Sequence, residues 1–358
     1  MISVFHPSLH RIAGAERVCL DIIEAVSRSR DVRLFVIDPS VDEEARHTLD
    51  DQGVEVRTLQ AANRISQLGA LSKLTKLVAN TELSFAETGT QLISTKWLLF
   101  TPRSHGVYFH NPERIWKLNH PTWWILRPVY LLMKLYLKLL HAVFDVEVVV
   151  NSRWTGEALQ KQGFEADAVV YPKIHQSMSG EFRGGGRILT LGRLVPDKRL
   201  IPIIEVVSDL FEDFPDTELA VVGFEGDPEY ERELRRLETA YEWVEVRKNV
   251  DADTLSRLLG ESSVYVHGKY AEHYGMSVAE ALISGCVCLV HDSGGQVEIV
   301  GGDPAYTYTD DAELAAKLAH VLDGDQDAID VQQLEALRRQ IEVQRHEFAD
   351  RINEHLVS

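Results

Sequence analysis

The chain has 358 residues, 45% hydrophobic and 26% charged. At roughly 150 residues per domain that length exceeds one ordinary core, and the composition excludes disordered, collagenous and coiled-coil chains. Lys and Arg number 37 against 55 Asp and Glu, a net charge of −18, which argues against a nucleic-acid partner for the chain as a whole. Cys19, Cys286 and Cys288 are too few for a disulfide framework and lack zinc-site spacing, so they read as small buried apolar residues. The amino terminus, MISVFHPSLHRIAGAE, has no charged-then-apolar leader design. No stretch reaches the ~18 uncharged apolar residues of a membrane-spanning helix. A cytoplasmic protein is the expectation.

In chain order, hydrophobic periodicity predicts a helix over Glu16–Arg28 and a strand over Val32–Ile37. Strands follow at Val146–Val150, Ala168–Tyr171 and Ile188–Leu191, then a helix at Leu200–Phe211 and a strand at Leu219–Val222. Helices at Glu229–Tyr241 and Thr254–Leu259 lead to a strand at Val264–His267, a helix at Val278–Ser284, a strand at Val287–Val290 and a helix at Ala312–Leu322. Short β-branched strands alternating with amphipathic helices imply βαβ units and parallel sheets covered on both faces. The alternation restarts after Gly184–Gly185–Gly186, behind the irregular stretch Pro172–Phe182, which marks a linker. The expected architecture is α/β, with two doubly wound Rossmann-like domains over 1–175 and 187–335. The tail from Asp330 reads as helical, with 336–358 a terminal helix that could pack back on either domain, the first being the candidate.

In such sheets ligands sit beyond the carboxyl ends of strands, near helix amino termini. Four turns there carry candidate chemistry. In Ile12–Ala13–Gly14–Ala15–Glu16–Arg17, Gly14 opens a helix and lets backbone N–H groups approach an anion, although a plain tight turn accounts for it equally well. Without a Gly-x-Gly-x-x-Gly fingerprint a nicotinamide-binding site is not supported. In Leu191–Gly192–Arg193–Leu194–Val195–Pro196–Asp197–Lys198, the cations Arg193 and Lys198 at a strand end suit an anionic ligand such as a nucleotide diphosphate. In Glu272–His273–Tyr274–Gly275–Met276–Ser277–Val278–Ala279–Glu280, Gly275, Met276 and Ser277 suit a helix entry whose N–H groups bind hydroxyls or phosphate. If every step between Glu272 and Glu280 were helical, ~1.5 Å per residue would separate them by ~12 Å, too far for a hydrolase pair at ~5–9.5 Å. Lastly, His110 in Tyr108–Phe109–His110–Asn111–Pro112 stands beside a strand end, where it could donate to a phosphate or a sugar hydroxyl.

Taken together these turns resemble the retaining GT-B glycosyltransferases of family 4. The loop Ala13–Gly14–Ala15–Glu16, the turn Tyr108 to Pro112, the strand end Asn151–Ser152–Arg153–Trp154–Thr155, the loop Gly192 to Lys198 and the pair Glu272 and Glu280 match that family's motifs in order. Ala13 departs from the family's first glycine. The resemblance implies two domains facing each other across a cleft and a hexosyl transfer with retention, without an enzyme nucleophile. It implies that Arg193 and Lys198 hold the donor diphosphate, that Glu272 binds sugar hydroxyls with help from Gly275, Met276 and Ser277, and that Glu280 holds the ribose. Gly14 would meet the diphosphate, and His110 would reach the sugar and its phosphate. The catalytic set is therefore His110, Glu272, Arg193 and Lys198. No metal and no cofactor are expected. Asp251–Ala252–Asp253 reads as a helix cap before Thr254–Leu259 rather than a metal-binding Asp-x-Asp. The run Glu272–His273–Tyr274–Gly275, with His267 and His291–Asp292–Ser293–Gly294–Gly295, is most similar to GDP-mannose-dependent enzymes that extend dolichol-linked oligosaccharides. GDP-mannose is thereby favoured over UDP-sugars.

From Lys96 to Lys138 the charge runs against the chain, because Lys96, Arg103, Arg114, Lys117, Arg127, Lys134 and Lys138 face only Glu113, a net of +6. Within about 96–141 lie Trp116, Trp123 and Trp124 and the apolar stretch Val129–Leu140. Interfacial aromatics, cations and an apolar helix suit a monotopic contact with an anionic membrane surface, which places the protein peripherally on the cytoplasmic face. Trp116, Trp123, Trp124, Arg127, Lys134 and Lys138 are the candidate membrane and acceptor residues, although a buried helix of the first domain explains the same stripe. A glycan or polyprenyl-linked acceptor fits this surface. Competing readings are a UDP-sugar transferase with a soluble acceptor, a non-catalytic scaffold in a glycan-assembly complex, and an epimerase of the same fold.

Overall fold

The computed structural model describes residues 1–68, 75–85, 90–95, 104–111, 131–132, 135–136, 138–139, 142–143, 146–182, 185–224, 226–324 and 329–357. They form two compact units, one of Met1–Lys173 with His346–Ser358 and the other of Ile174–Arg345.

The first unit is built on a parallel sheet of β1 (Ile2–Phe5), β2 (Val32–Val36), β3 (Glu55–Thr58), β4 (Thr90–Thr95), β5 (Ser104–Phe109), β6 (Glu147–Val150) and β7 (Ala168–Val169). The strands lie in the order β3-β2-β1-β4-β5-β6-β7. Every residue of β1 is buried, as expected of a central parallel strand covered on both faces. Phe5, Phe35, Val107, Phe109, Val148 and Val150 meet Leu159 and Phe164 in one apolar cluster. Gly106 in β5 admits the last turn of the terminal helix: a Cβ there would stand 2.4 Å from the Leu356 side chain. Asn353 Nδ2 donates to the Ala25 carbonyl at 3.3 Å, and His355 Nδ1 lies 2.6 Å from Glu147 Oε1, so the helix end is fastened to this unit.

The second sheet contains β8 (Arg187–Arg193), β9 (Glu218–Phe224), β10 (Val244–Lys248), β11 (Val264–His267), β12 (Val287–His291) and β13 (Thr307–Tyr308). Its order is β10-β9-β8-β11-β12-β13, parallel throughout. The chain winds outward from β8 to β10 and then returns to place β11 on the other side of β8. That reversal opens a crevice beyond the carboxyl ends of β8 and β11, where doubly wound sheets bind ligands.

The expected strands recur with small changes of bounds, and β11 matches its expected range residue for residue. β3 was not expected because it is a partly exposed edge strand rich in charge, and β10 because its alternation of buried Val244 and Val246 with exposed Glu245 ends after three residues in Arg247 and Lys248. Residues 174–182, ahead of the expected Gly184–Gly186 linker, belong to the second unit, for a visible reason. Arg338, 4% exposed, donates from Nε to the Ile283 carbonyl at 2.9 Å, from Nη1 to the Gly180 carbonyl at 3.3 Å and from Nη2 to the Ser179 carbonyl. Its guanidinium also stacks 5.6 Å from the Phe182 ring centroid. It sits on the 26-residue helix Val331–Leu356, which starts before the expected 336.

Trp116, Trp123, Trp124, Arg127 and Lys134 lie outside the described residues, as does Pro112. Residues 131–132, 135–136, 138–139 and 142–143 are helical and exposed. They include Leu132 at 67% exposure, Leu135 at 65% and Val143 at 62%. Lys138 extends its ammonium over the Phe164 ring, 5.8 Å from the centroid. Among the described residues no helix is long and apolar enough to cross a membrane.

Replacing Arg338 with Leu removes a buried guanidinium and leaves the buried Ile283 carbonyl and the part-buried Ser179 and Gly180 carbonyls without their donor. Thermal unfolding of Arg338→Leu should therefore report a loss of about 3 kcal/mol with near-native far-UV circular dichroism. An unchanged melting temperature would remove the fastening role.

Candidate functional site

The carboxyl ends of β8 and β11 deliver their side chains to one carboxylate. β8 ends in Gly192–Arg193, and a 3₁₀ turn over Pro196–Lys198 follows, with Pro196 supplying the preset φ of a first helical position. A Cβ on Gly192 would stand 3.1 Å from Lys198 Cγ and Cδ. Glycine there lets the lysine methylenes fold back along the strand end. The ammonium then reaches Glu272, with Nζ 2.8 Å from Oε2. Arg193, on the last residue of β8, is exposed.

Glu272 leaves β11 in a loop whose backbone is clamped by a bridge to Gly294, and the Gly295 N–H donates to the Glu272 carbonyl at 2.7 Å. Gly294 has φ +89°, and a Cβ on it would lie 2.3 Å from that carbonyl oxygen. Only glycine tolerates both the left-handed backbone and the close approach. The carboxylate is surrounded by donors. Lys269 Nζ lies 3.3 Å from Oε2, the His273 N–H donates to Oε1 at 3.1 Å, and His267 Nε2 stands 3.6 Å from Oε2. Burial by itself would push the Glu272 carboxyl upward, but Lys198, the neighbouring histidines and Lys269 hold it well below the usual range. It is therefore ionised at neutral pH. The Lys198 and Glu272 side chains retain only 14% and 15% of their exposure. A desolvated ion pair of this kind adds little net stability, so its retention in a crevice points to a binding role.

The helix Met276–Ile283 begins on Gly275, whose φ of 102° is left-handed, with no side-chain cap. Its first N–H groups, at Met276 and Ser277, have no acceptor within the helix and carry the positive end of its dipole. Tyr265 donates to Ser277 Oγ at 2.8 Å, and its hydroxyl lies 3.2 Å from His267 Nδ1. Glu280 follows Ser277 by three residues, which puts both on one helix face, and it is half-buried. Because the helix begins only at Met276, the uniform helical rise used to space Glu272 from Glu280 does not apply. Glu272 belongs to the loop.

The second unit thus gathers Lys198, Glu272, Gly275, Met276, Ser277 and Glu280, with Arg193 at the adjoining strand end. Gly14 and His110 belong to the first unit. Gly14 opens the helix Gly14–Ser27 behind Ala13, and Glu16 in that first turn lies 3.5 Å from His6 Nε2. His110 at the end of β5 is 6% exposed, its ring 4.9 Å from that of Tyr108, and its carbonyl accepts from Asn151 Nδ2 at 3.3 Å. Asp251 Oδ1 accepts from the Thr254 N–H at 2.7 Å, a helix cap. Sequence reasoning missed Tyr265 and Lys269. Lys269, three residues before Glu272, was detectable as a third cation at a strand end. Tyr265 was hidden inside an apolar strand.

Residues 175–339 match the family model described as Glycosyl transferases group 1. A Dictyostelium discoideum protein named GDP-Man:Man(3)GlcNAc(2)-PP-Dol alpha-1,2-mannosyltransferase is 27% identical over 179 residues, covering 43% of this chain and 35% of that protein. The Homo sapiens protein of the same name is 27% identical over 204 residues, covering 49% and 41%. The chain therefore spans well under half the length of these curated relatives. Among solved structures, WaaG, a glycosyltransferase involved in lipopolysaccharide biosynthesis, is similar with TM-score 0.70 at 14% identity over 100% of both chains. Anabaena HepE in complex with UDP-glucose is similar with TM-score 0.67 at 17% identity, covering 99% of this chain and 100% of that one. The fold is GT-B, with two Rossmann-like units.

Gly294→Ala should force the Glu272 loop away from β12 and weaken ligand binding at this site by about tenfold or more, while the sheet core survives. Wild-type affinity by titration calorimetry in this variant would show that the clamp does not position Glu272.

Proposed function

We propose that the protein is a retaining glycosyltransferase. It moves a hexose, best taken as mannose from GDP-mannose, to a polyprenyl-linked or glycan acceptor at the cytoplasmic face of a membrane. The observation that carries this reading is the desolvated Lys198–Glu272 pair at the switch point of the second sheet, beside an uncapped helix amino terminus. The mannose and lipid-linked parts are supported by the printed names of the relatives.

The geometry suits a division of labour. Without a ligand, Lys198 and Glu272 neutralise each other. A diphosphate competes for the ammonium, and Lys198 with Arg193 and the N–H groups of Met276 and Ser277 then stabilises charge developing on the departing phosphate. Glu272 is released to accept sugar hydroxyls, and Glu280 holds the ribose. A carboxyl held far below its usual range is no general acid at neutral pH, and one encircled by cations is a poor nucleophile. Both points suit front-face transfer without a covalent intermediate. With these cations meeting the diphosphate, the proposal includes no metal.

Glu272→Gln keeps the shape and removes the charge, so kcat should fall by about 100-fold or more. Lys198→Ala should raise the Kd for GDP by about tenfold in calorimetry, with GDP bound more tightly than UDP by the wild type. Full activity in Glu272→Gln would refute the donor site, tighter UDP binding would favour the UDP-sugar reading, and loss of activity in EDTA restored by Mn²⁺ would refute metal independence.

The membrane part rests on the exposed apolar helix residues Leu131, Leu132, Leu135, Leu139 and Val143 within a region of net +6. In liposome flotation the protein should float with vesicles containing anionic phospholipid, and replacing Trp123, Trp124, Leu132 and Leu135 with Ser should abolish flotation. Flotation that persists, or that ignores lipid charge, would return the segment to an internal or protein-facing role.

A further inference from the structure

One polar atom at the Glu272 carboxylate is left over. His267 is 1% exposed, and among the described residues its Nε2 has no hydrogen-bond partner. The atom faces Glu272 Oε2 at 3.6 Å, just beyond hydrogen-bond length. Its other ring nitrogen is engaged. The Tyr265 hydroxyl has Ser277 Oγ at 2.8 Å, His267 Nδ1 at 3.2 Å and the Leu191 carbonyl at 3.5 Å; assigning its single proton to the nearest, Ser277 Oγ, puts the imidazole proton on Nδ1. The neutral ring then presents the lone pair of Nε2 to a carboxylate, an arrangement tolerable only while other cations cover that carboxylate. Lys198 at 2.8 Å and Lys269 at 3.3 Å do so.

We infer that His267 takes up a proton at Nε2 when an anionic diphosphate draws Lys198 away from Glu272, so that an imidazolium replaces an ammonium as the counter-ion of the buried carboxylate. The inference rests on the nucleotide-sugar reading of the site. Burial holds His267 below its ordinary value, and Lys198 and Lys269 push the same way, while Glu272 opposes them. Moving Lys198 onto a diphosphate removes one depressing charge and brings negative charge closer. Lys269 remains, moderating the rise. His273 contacts the other carboxylate oxygen, with Nδ1 3.7 Å from Oε1. The Tyr265 hydroxyl is held protonated by burial, with Glu280 adding to the effect. From β13, the Tyr308 hydroxyl donates to the His267 carbonyl at 2.8 Å and leaves the ring free to titrate. The proton comes from solvent, and no covalent bond is made or broken.

The sign of the pH dependence follows. Because the bound-state pKa lies above the free-state value, the extra affinity is fully present below the free-state pKa and is lost as pH rises through the bound-state pKa. His267 is a positioning residue in this scheme: it keeps Glu272 ionised and aimed while Lys198 serves the phosphate.

The experiment has two arms. Calorimetric titrations of GDP and UDP in buffers of different ionisation enthalpy should show wild type taking up more protons than His267→Gln, by up to about one per site, the ligand's own protons cancelling in the comparison. Equal uptake by the two proteins overturns the proposal. Failure of both nucleotides to bind wild type instead overturns the donor reading. The second arm needs no ligand. In NMR titrations of protein isotopically labelled at histidine, Lys198→Met should raise the His267 midpoint by about one pH unit, since it removes the cation as the diphosphate would. A midpoint that stays put, or falls, overturns the counter-ion exchange even if His267→Gln fails to fold.

Discussion

The second unit's chemistry depends on keeping one ionised carboxylate out of water. Glu272 sits at the crevice made by the reversal of strand order between β8 and β11. It can do so only because the chain brings two lysines, two histidines and a backbone N–H to the same few ångströms. A lone buried charge would cost several kcal/mol and would neutralise itself by taking a proton. Once this cluster exists, much of the local backbone follows from it: glycine at 192 so that Lys198 can fold inward, and glycine at 294 so that the loop can be clamped. The left-handed Gly275 then turns the chain into the helix whose amino terminus faces the same space.

A cluster of this kind is poised rather than merely stable. Its members hold one another's charge, so a ligand that recruits one of them changes the state of the rest. Under the proposed donor reading, recognition of the phosphate and recognition of the sugar would be parts of one electrostatic event. Two donors on Glu272 differ in this respect. The His273 N–H belongs to the backbone and stays, whereas the Lys198 ammonium ends a flexible chain and is free to leave.

Much of this was legible in the sequence, for physical reasons that differ by element. β8, β11 and β12 are buried on both faces, so their β-branched runs stand out without any alternation to decipher. Edge strands such as β3, half in water, carry Glu and Arg and read as loop. In the site, Arg193, Lys198 and Glu272 were readable because charged residues at strand ends are rarely accidental in a doubly wound sheet. Tyr265 was not, since a buried aromatic in a strand looks like any other core residue until its hydroxyl is seen between Ser277 and His267. The placement of Glu272 ahead of its helix was also illegible, because the left-handed turn at Gly275 breaks a spacing that the residue count alone would carry straight through.

Arg338 has a bearing on where this fold can be cut. It stands far beyond β13 in the chain, yet its guanidinium binds the carbonyls of Ser179, Gly180 and Ile283, at the opening of the second unit and at the close of the helix Met276–Ile283. A fragment trimmed just after the final strand would retain the complete sheet but lose the peg that seals its entry segment. The autonomous piece of this protein is therefore longer than its strands suggest, and insertions or fusions belong beyond the terminal helix rather than in front of it.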